Sequence, residues 1–147
     1  MNINDLSTAE EKLKYQDAVF VKTKGASMRP LINSEKDLAV LKKADKSPKK
    51  NSVVLFKKNG ILILHRIRRI SGDEYIMRGD NNAFYEYGVK NTDIIGELKA
   101  VIKNGKYKEI EKSLYLRRIY PFLNTLFFPL KFIYSKLLKL KRKDFFK

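Results

Sequence analysis

Cysteine and tryptophan are absent from this chain, and histidine occurs once. Without cysteine there is no disulfide framework, no thiolate metal site and no cysteine nucleophile. A zinc site with a single imidazole would need an unusual carboxylate-rich set of ligands, so neither a metal nor another cofactor is expected. Acidic residues are also scarce: 16 Asp and Glu against 32 Lys and Arg leave a formal net charge of +16. That excess favours an anionic partner, either a nucleic-acid backbone or an anionic lipid surface, and charge alone does not choose between them. The opening stretch MNINDLSTAEEKLKY contains no long apolar run. It therefore supplies neither a signal peptide nor an N-terminal membrane anchor. The expected location is cytoplasmic, or peripheral to the membrane on its cytoplasmic side.

The 147 residues, 44% of them hydrophobic, suffice for one domain with a sizeable core. Ser7 followed by Glu10 fits a capping box and predicts a short helix over about residues 8 to 15. DAVFVKTKG alternates Val19, Val21 and Thr23 against Phe20, Lys22 and Lys24, which predicts a strand ending at Gly25. DLAVLKKA predicts a second strand, and DKSPKKNS a polar loop. SVVLFKKNGILILHRIRRI reads as a hairpin turning at Asn59-Gly60. EYIMRGDNN gives a strand running into a turn, and IIGELKAVIKNGKYKEI a last hairpin around Asn104-Gly105. A helical lead-in over 1–16, a mainly β domain over 17–112 and a distinct tail over 113–147 are the expected organisation.

Three short stretches carry chemistry. In KGASMRPLI, Ser27 follows the small residues Gly25 and Ala26, which let a substrate carbonyl approach the backbone, and Pro30 stiffens the turn behind it. A serine hydroxyl needs a base to take its proton and aligned donors for the oxyanion. Alone, the stretch is equally an ordinary tight turn. In ILILHRI, His65 shares a strand face with Ile63 and Ile67, a setting for a neutral ring acting as general base or for a packed structural histidine. In MRGDNNAFYEYG, Asp80 and Glu86 supply carboxylates that can orient a histidine, and Asp80 can equally cap its own turn.

Together, GASMRP, ILHRI and RGDNNAFYE resemble in order and spacing the motifs of type I signal peptidases, over about residues 17 to 100. The match is nearer the Ser-His branch, as in the endoplasmic-reticulum and sporulation-type enzymes, than the Ser-Lys branch. The resemblance implies a signal-peptidase-like coiled β-sheet domain in which Ser27 is the nucleophile and His65 the general base. It implies further that Gly79, Asp80 and Asn81 close the site and that Asp80 holds Arg66 in an ion pair fixing the histidine strand. Met28 and Pro30 complete the serine box. Glu86 stands where the Ser-His enzymes usually carry Asp as third triad member, and Gly25 stands where some members place a hydroxyl donor. The related self-cleaving repressors are set aside at this point, because His65 occupies the position of their lysine and no helix-turn-helix precedes the domain.

The tail, from Leu114, carries a helical stripe of Leu116, Ile119, Tyr120, Leu123, Phe127, Leu130, Ile133, Tyr134 and Leu137. Pro121 and Pro129 should break or kink it. The apolar run from Ile119 to Leu130 covers about twelve residues where a span needs roughly 20. A basic amphipathic helix on anionic lipid fits residues 114–147, a helix packed on the β domain fits equally, and nucleic-acid binding ranks lower. The expected activity is serine endopeptidase cleavage of an extended peptide or precursor protein. The alternative is a non-catalytic peptidase-like protein held to membrane or nucleic acid by its basic face.

Overall fold

The computed structural model describes residues 4–44 and 47–110, together with Leu126, Phe127, Pro129, Leu130 and Ile133 of the tail. Strand β1 (Asn4–Asp5) leads directly into helix α1 (Leu6–Lys12). Eight further strands follow: β2 (Ala18–Lys22), β3 (Leu38–Lys43), β4 (Val53–Lys58), β5 (Ile61–Ser71), β6 (Glu74–Arg78), β7 (Glu86–Lys90), β8 (Ile94–Lys103) and β9 (Lys106–Glu109). They form one sheet in the order β1-β2-β3-β8-β4-β5-β6-β7, with β9 folded back on β8. All neighbours are antiparallel except β1 and β2. The mainly β architecture expected from the sequence is what the chain adopts.

The two Asn-Gly hairpins form where the sequence placed them. Asn59 and Gly60 have φ of 50° and 78°, and Asn104 and Gly105 have 49° and 73°. Two consecutive left-handed residues give the tight turn whose twist matches flanking strands, and Asn-Gly is the pair that adopts it at least cost. Strand β4 is buried on both faces. Val53 and Leu55 join the larger core cluster with Val19, Val21, Leu41, Leu64 and Leu98, while Val54 and Phe56 join a second cluster with Ile67, Tyr75, Met77 and Val89. The uninterrupted VVLF run reflects that double burial.

Three sequence expectations shift. The helix spans Leu6–Lys12, starting two residues ahead of the expected residue 8 and ending short of 15, because the pairing of Asn4 and Asp5 with Val21 and Lys22 fixes the chain's entry earlier. Nor is the N-terminal stretch merely a lead-in: Ala9 and Leu13 are buried in the larger cluster, and Lys57 on β4 pairs with Glu10 at 2.8 Å. Strand β2 stops at Lys22 rather than Gly25, since Gly25 has φ +79° and the chain there leaves the sheet. The amphipathic tail lies outside the described residues except for its five helical positions, where Leu126, Phe127, Leu130 and Ile133 are exposed. Pro129 is among these helical positions. Among the described residues, no helix is long and apolar enough to cross a membrane.

Candidate active site

Residues 23–37, between β2 and β3, carry Ser27. Met28, Leu31 and Ile32 are buried in the larger core and anchor this loop like three pegs. Its turns close through Arg29 N–H to the Ala26 carbonyl at 3.1 Å and Ile32 N–H to the Met28 carbonyl at 2.9 Å. Behind it, buried Asp37 accepts from Asn33 N–H at 2.8 Å, and Lys103 Nζ donates to the Pro30 carbonyl at 2.9 Å while lying 3.3 Å from Asp37. The loop is thus pinned at its rear and leaves Ser27 half-buried at the front. Gly25 stands in the left-handed region with nothing within 4 Å of a built Cβ. Conformation rather than space therefore favours glycine where some family members carry a hydroxyl.

His65 lies on β5 opposite Val54, tilted against the Phe56 ring at 6.4 Å between centroids. It keeps the face expected of it, with Ile63 and Ile67 in the second cluster. Its Nδ1 lies 2.8 Å from Glu86 Oε2, and in the neutral ring an Nδ1–H donated to that carboxylate leaves Nε2 as the acceptor. Glu86 opens β7, and the glycine at the end of β6 shows where Nε2 points. A methyl group built on Gly79 would lie 2.8 Å from His65 Nε2, 2.8 Å from the Ser27 carbonyl oxygen and 3.0 Å from Asn82 Cγ. His65 Nε2 and the main chain of Ser27 therefore flank a residue that has no side chain. Asn81 N–H donates to the same Ser27 carbonyl at 2.7 Å, tying the Gly-Asp-Asn turn to the serine loop.

Asp80 is fully buried with Arg66. Arg66 Nε and Nη2 reach its two oxygens at 2.8 Å each, and Arg66 Nη1 donates to the Asn51 carbonyl at 2.7 Å. The ion pair locks β5 to the turn after β6, one residue from His65. Arg68 Nη2 adds a third contact to Asp80 at 3.1 Å. Burial lowers the Arg68 guanidinium to about 10, with Arg78 and Arg66 pushing the same way against the pull of Asp80. Arg78 stacks over the Tyr85 ring at 5.1 Å.

Beside Ser27 opens a cleft of about 120 Å³. One wall is Thr23, Lys24 and Gly25, the other is Leu62, Ile63 and Leu64, and the floor includes Met28 and Ile32. On the side away from β4, β6 pairs β5 only from Arg66 onward, so among the described residues no strand covers residues 61–64 there. The opposing edge available to an extended peptide is residues 23–25. Val21 and Lys22, just before it, already pair with β1.

Every residue expected at the site falls on one of these pieces: Ser27, Met28 and Pro30 on the loop with Gly25, His65 and Arg66 on β5, and Gly79, Asp80 and Asn81 in the turn. Glu86 stands against the imidazole. Two residues were passed over in the sequence. Asn82 converges with His65 and Ser27 on Gly79, and its only trace was the doubled asparagine. Leu6 lines the cleft from the chain's far end, with no local trace at all. Among the described residues, no cluster of three or more His, Cys, Asp or Glu is placed to hold a metal ion.

No curated protein matches this chain. A family model described as Peptidase S24-like matches residues 3–99, starting ahead of the boundary expected at residue 17. The match supports that family, and not the Ser-His branch of type I signal peptidases in particular. It spans β1 through most of β8 and takes in the serine loop, the histidine strand and the Gly-Asp-Asn turn: this chain belongs to the Peptidase S24-like family.

Proposed function

We propose that the protein is a serine endopeptidase with a Ser27–His65–Glu86 relay, cleaving an extended peptide or precursor. The observation that carries this is the two-sided engagement of His65, Nδ1 on Glu86 and Nε2 turned to the residue-27 main chain. Glu86 holds the tautomer in which Nε2 is the acceptor, as a general base requires. Nε2 takes the Ser27 Oγ proton, Oγ bonds to the scissile carbonyl carbon, and backbone N–H groups at the serine turn receive the oxyanion. The imidazolium gives its proton to the leaving amine as the C–N bond breaks. Water then attacks the acyl-enzyme, with His65 again as base. Asp80 serves by fixing Arg66 and with it the strand that carries His65.

The substrate lies extended between residues 23–25 and 61–64, adding main-chain hydrogen bonds to both edges. The resemblance to signal peptidases brings the expectation of small residues beside the cleaved bond. A leader or signal segment removed from a precursor peptide is the substrate class this favours. Labelling with a serine-directed phosphonate probe and cleavage of a small-x-small peptide, in the wild type, Ser27→Ala and His65→Ala, test the reading. Loss of both signals in both variants is expected. Labelling and cleavage that persist in Ser27→Ala would remove Ser27 as the nucleophile, and their absence from the folded wild type would leave a non-catalytic peptidase-like binding protein instead.

A further inference from the structure

We propose that the N-terminal arm, β1 with the start of α1, is a specificity element of this site, acting through Leu6 to select an aliphatic substrate side chain. This rests on the peptidase reading of the cleft. Strand β1 runs parallel to β2 along the edge that the cleft continues, with Asp5 opposite Lys22. The next residue, Leu6, therefore stands at the level of Thr23, where β2 ends and the open stretch 23–25 begins. Leu6 lines the cleft together with Met28, Ile32, Leu62 and Leu64, whose side chains are the margin of the larger core. A peptide docking on residues 23–25 meets the end of β1 and brings one of its side chains against that wall.

The arm is built to hold this position. Ala9 is fully buried and Leu13 nearly so. Leu13 Cδ1 comes within 2.8 Å of the point a Cβ on Gly96 would occupy, so the absence of a side chain on β8 is what admits the end of the helix segment. Glu10 pairs with Lys57 at 2.8 Å. Leu6 is thereby presented by a segment fixed at three places, with its side chain on the cleft.

Size decides which side chain fits. An apolar cavity of roughly 150 Å³ takes up benzene. The cleft's 120 Å³ admits a branched aliphatic group, which an alanine methyl would leave largely unfilled. A difference of one or two methylenes in such a pocket changes kcat/KM by roughly tenfold or more. The chain is thereby set to prefer valine or leucine over alanine at one substrate position near the cleaved bond, a narrower demand than small residues throughout.

The test uses the full-length chain with Ser27→Ala as host, so that peptide binding is read without turnover. Peptides carrying Ala, Val, Leu or Phe at each of the four positions before the cleaved bond are titrated by fluorescence anisotropy. Hosts carry Leu6, Leu6→Ala, Leu6→Phe or the volume-conserving Leu6→Met, and the same substitutions with Ser27 intact are assayed for cleavage. At one position the Leu6 host should favour Val or Leu over Ala by about tenfold. Leu6→Ala should move the optimum toward Phe, Leu6→Phe toward Ala, and Leu6→Met should leave it in place. An unchanged order of preference in both Leu6→Ala and Leu6→Phe, with Ser27-dependent cleavage intact, overturns the role of the arm and leaves the peptidase standing. A preference that moves with Leu6 in a chain that does not cleave upholds the arm and removes the peptidase. Absence of binding by every peptide removes both.

Discussion

Replacing Gly79 by alanine loads the site at its tightest point. The added methyl would stand 2.8 Å from His65 Nε2 and 2.8 Å from the Ser27 carbonyl oxygen. Non-bonded heavy atoms settle at about 3.5–4.0 Å, so the neighbours must retreat by roughly 0.7 Å on two sides. Neither is a loose end. The carbonyl belongs to the main chain and accepts from Asn81 N–H at 2.7 Å, while the imidazole is tethered by Glu86 at 2.8 Å. The displacement therefore moves His65 and the Ser27 main chain apart, and on the proposed relay it would lengthen the path of the serine proton. A misplacement on the order of 1 Å costs about 10²-fold in rate, and forcing a methyl into a filled space costs about 1–3 kcal/mol of stability. Measured on an internally quenched peptide, kcat/KM of Gly79→Ala should fall about 10²-fold. Urea unfolding should show the variant still folded under assay conditions. Wild-type kcat/KM in Gly79→Ala would refute the placement of the histidine against the serine loop.

Glu86→Gln can present its amide N–H₂ to Nδ1 and so put the ring proton on Nε2. From the partly exposed position of Glu86 we expect kcat to fall by roughly 10²–10⁴ with KM little changed, and a kcat within experimental error of wild type would exclude the relay. Arg66→Met removes both short contacts to Asp80 and should cost about 3–5 kcal/mol in urea unfolding. Arg68→Met should be neutral or stabilising at pH 7. Burial holds the Arg68 pKa at about 10, below its unfolded value, so the charged form is a cost to the fold that is present at neutral pH. Native Arg68 loses its proton first as pH rises through about 10, which relieves the cost and narrows the gap to the variant; equal losses for the two substitutions would contradict this. For the tail, flotation with anionic vesicles should require residues 114–147 and weaken with salt; flotation that survives their removal, or fails with them present, would defeat the interfacial helix.

Local chemistry made much of the fold legible. Asn59-Gly60 and Asn104-Gly105 announced their hairpins because few residue pairs adopt two left-handed conformations in succession. The apolar run VVLF announced a strand buried on both sides. Strand β7 carried no such mark, since only Val89 of its five residues is buried and Tyr87 and Gly88 face solvent, which erases the alternation. Strand β1 is two residues long and exists through its pairing with β2, which no local pattern encodes. At the site, the residue types were readable and their meeting was not. Ser27, His65 and Glu86 come from a loop, a central strand and an edge strand, and nothing in their spacing dictates contact. The resemblance suggested the connection, and Gly79, having no side chain, leaves room for His65 Nε2 and the Ser27 main chain on either side of it. Leu6 stayed hidden because its neighbours in space are distant in sequence.

Strand β8 lies between β3 and β4 in the sheet, although it follows both in the chain by dozens of residues. During synthesis, β2 and β3 with the serine loop can pair early, and β4 to β7 with His65 and Glu86 can pair among themselves. No ladder joins the two groups until residues 94–103 have left the ribosome and inserted between them. A nascent or truncated chain lacking that strand would hold Ser27 and His65 on separate, unregistered pieces. On the peptidase reading proposed above, hydrolytic competence would be deferred until nearly the whole β domain has been made, keeping the unfinished chain out of reach of its own chemistry.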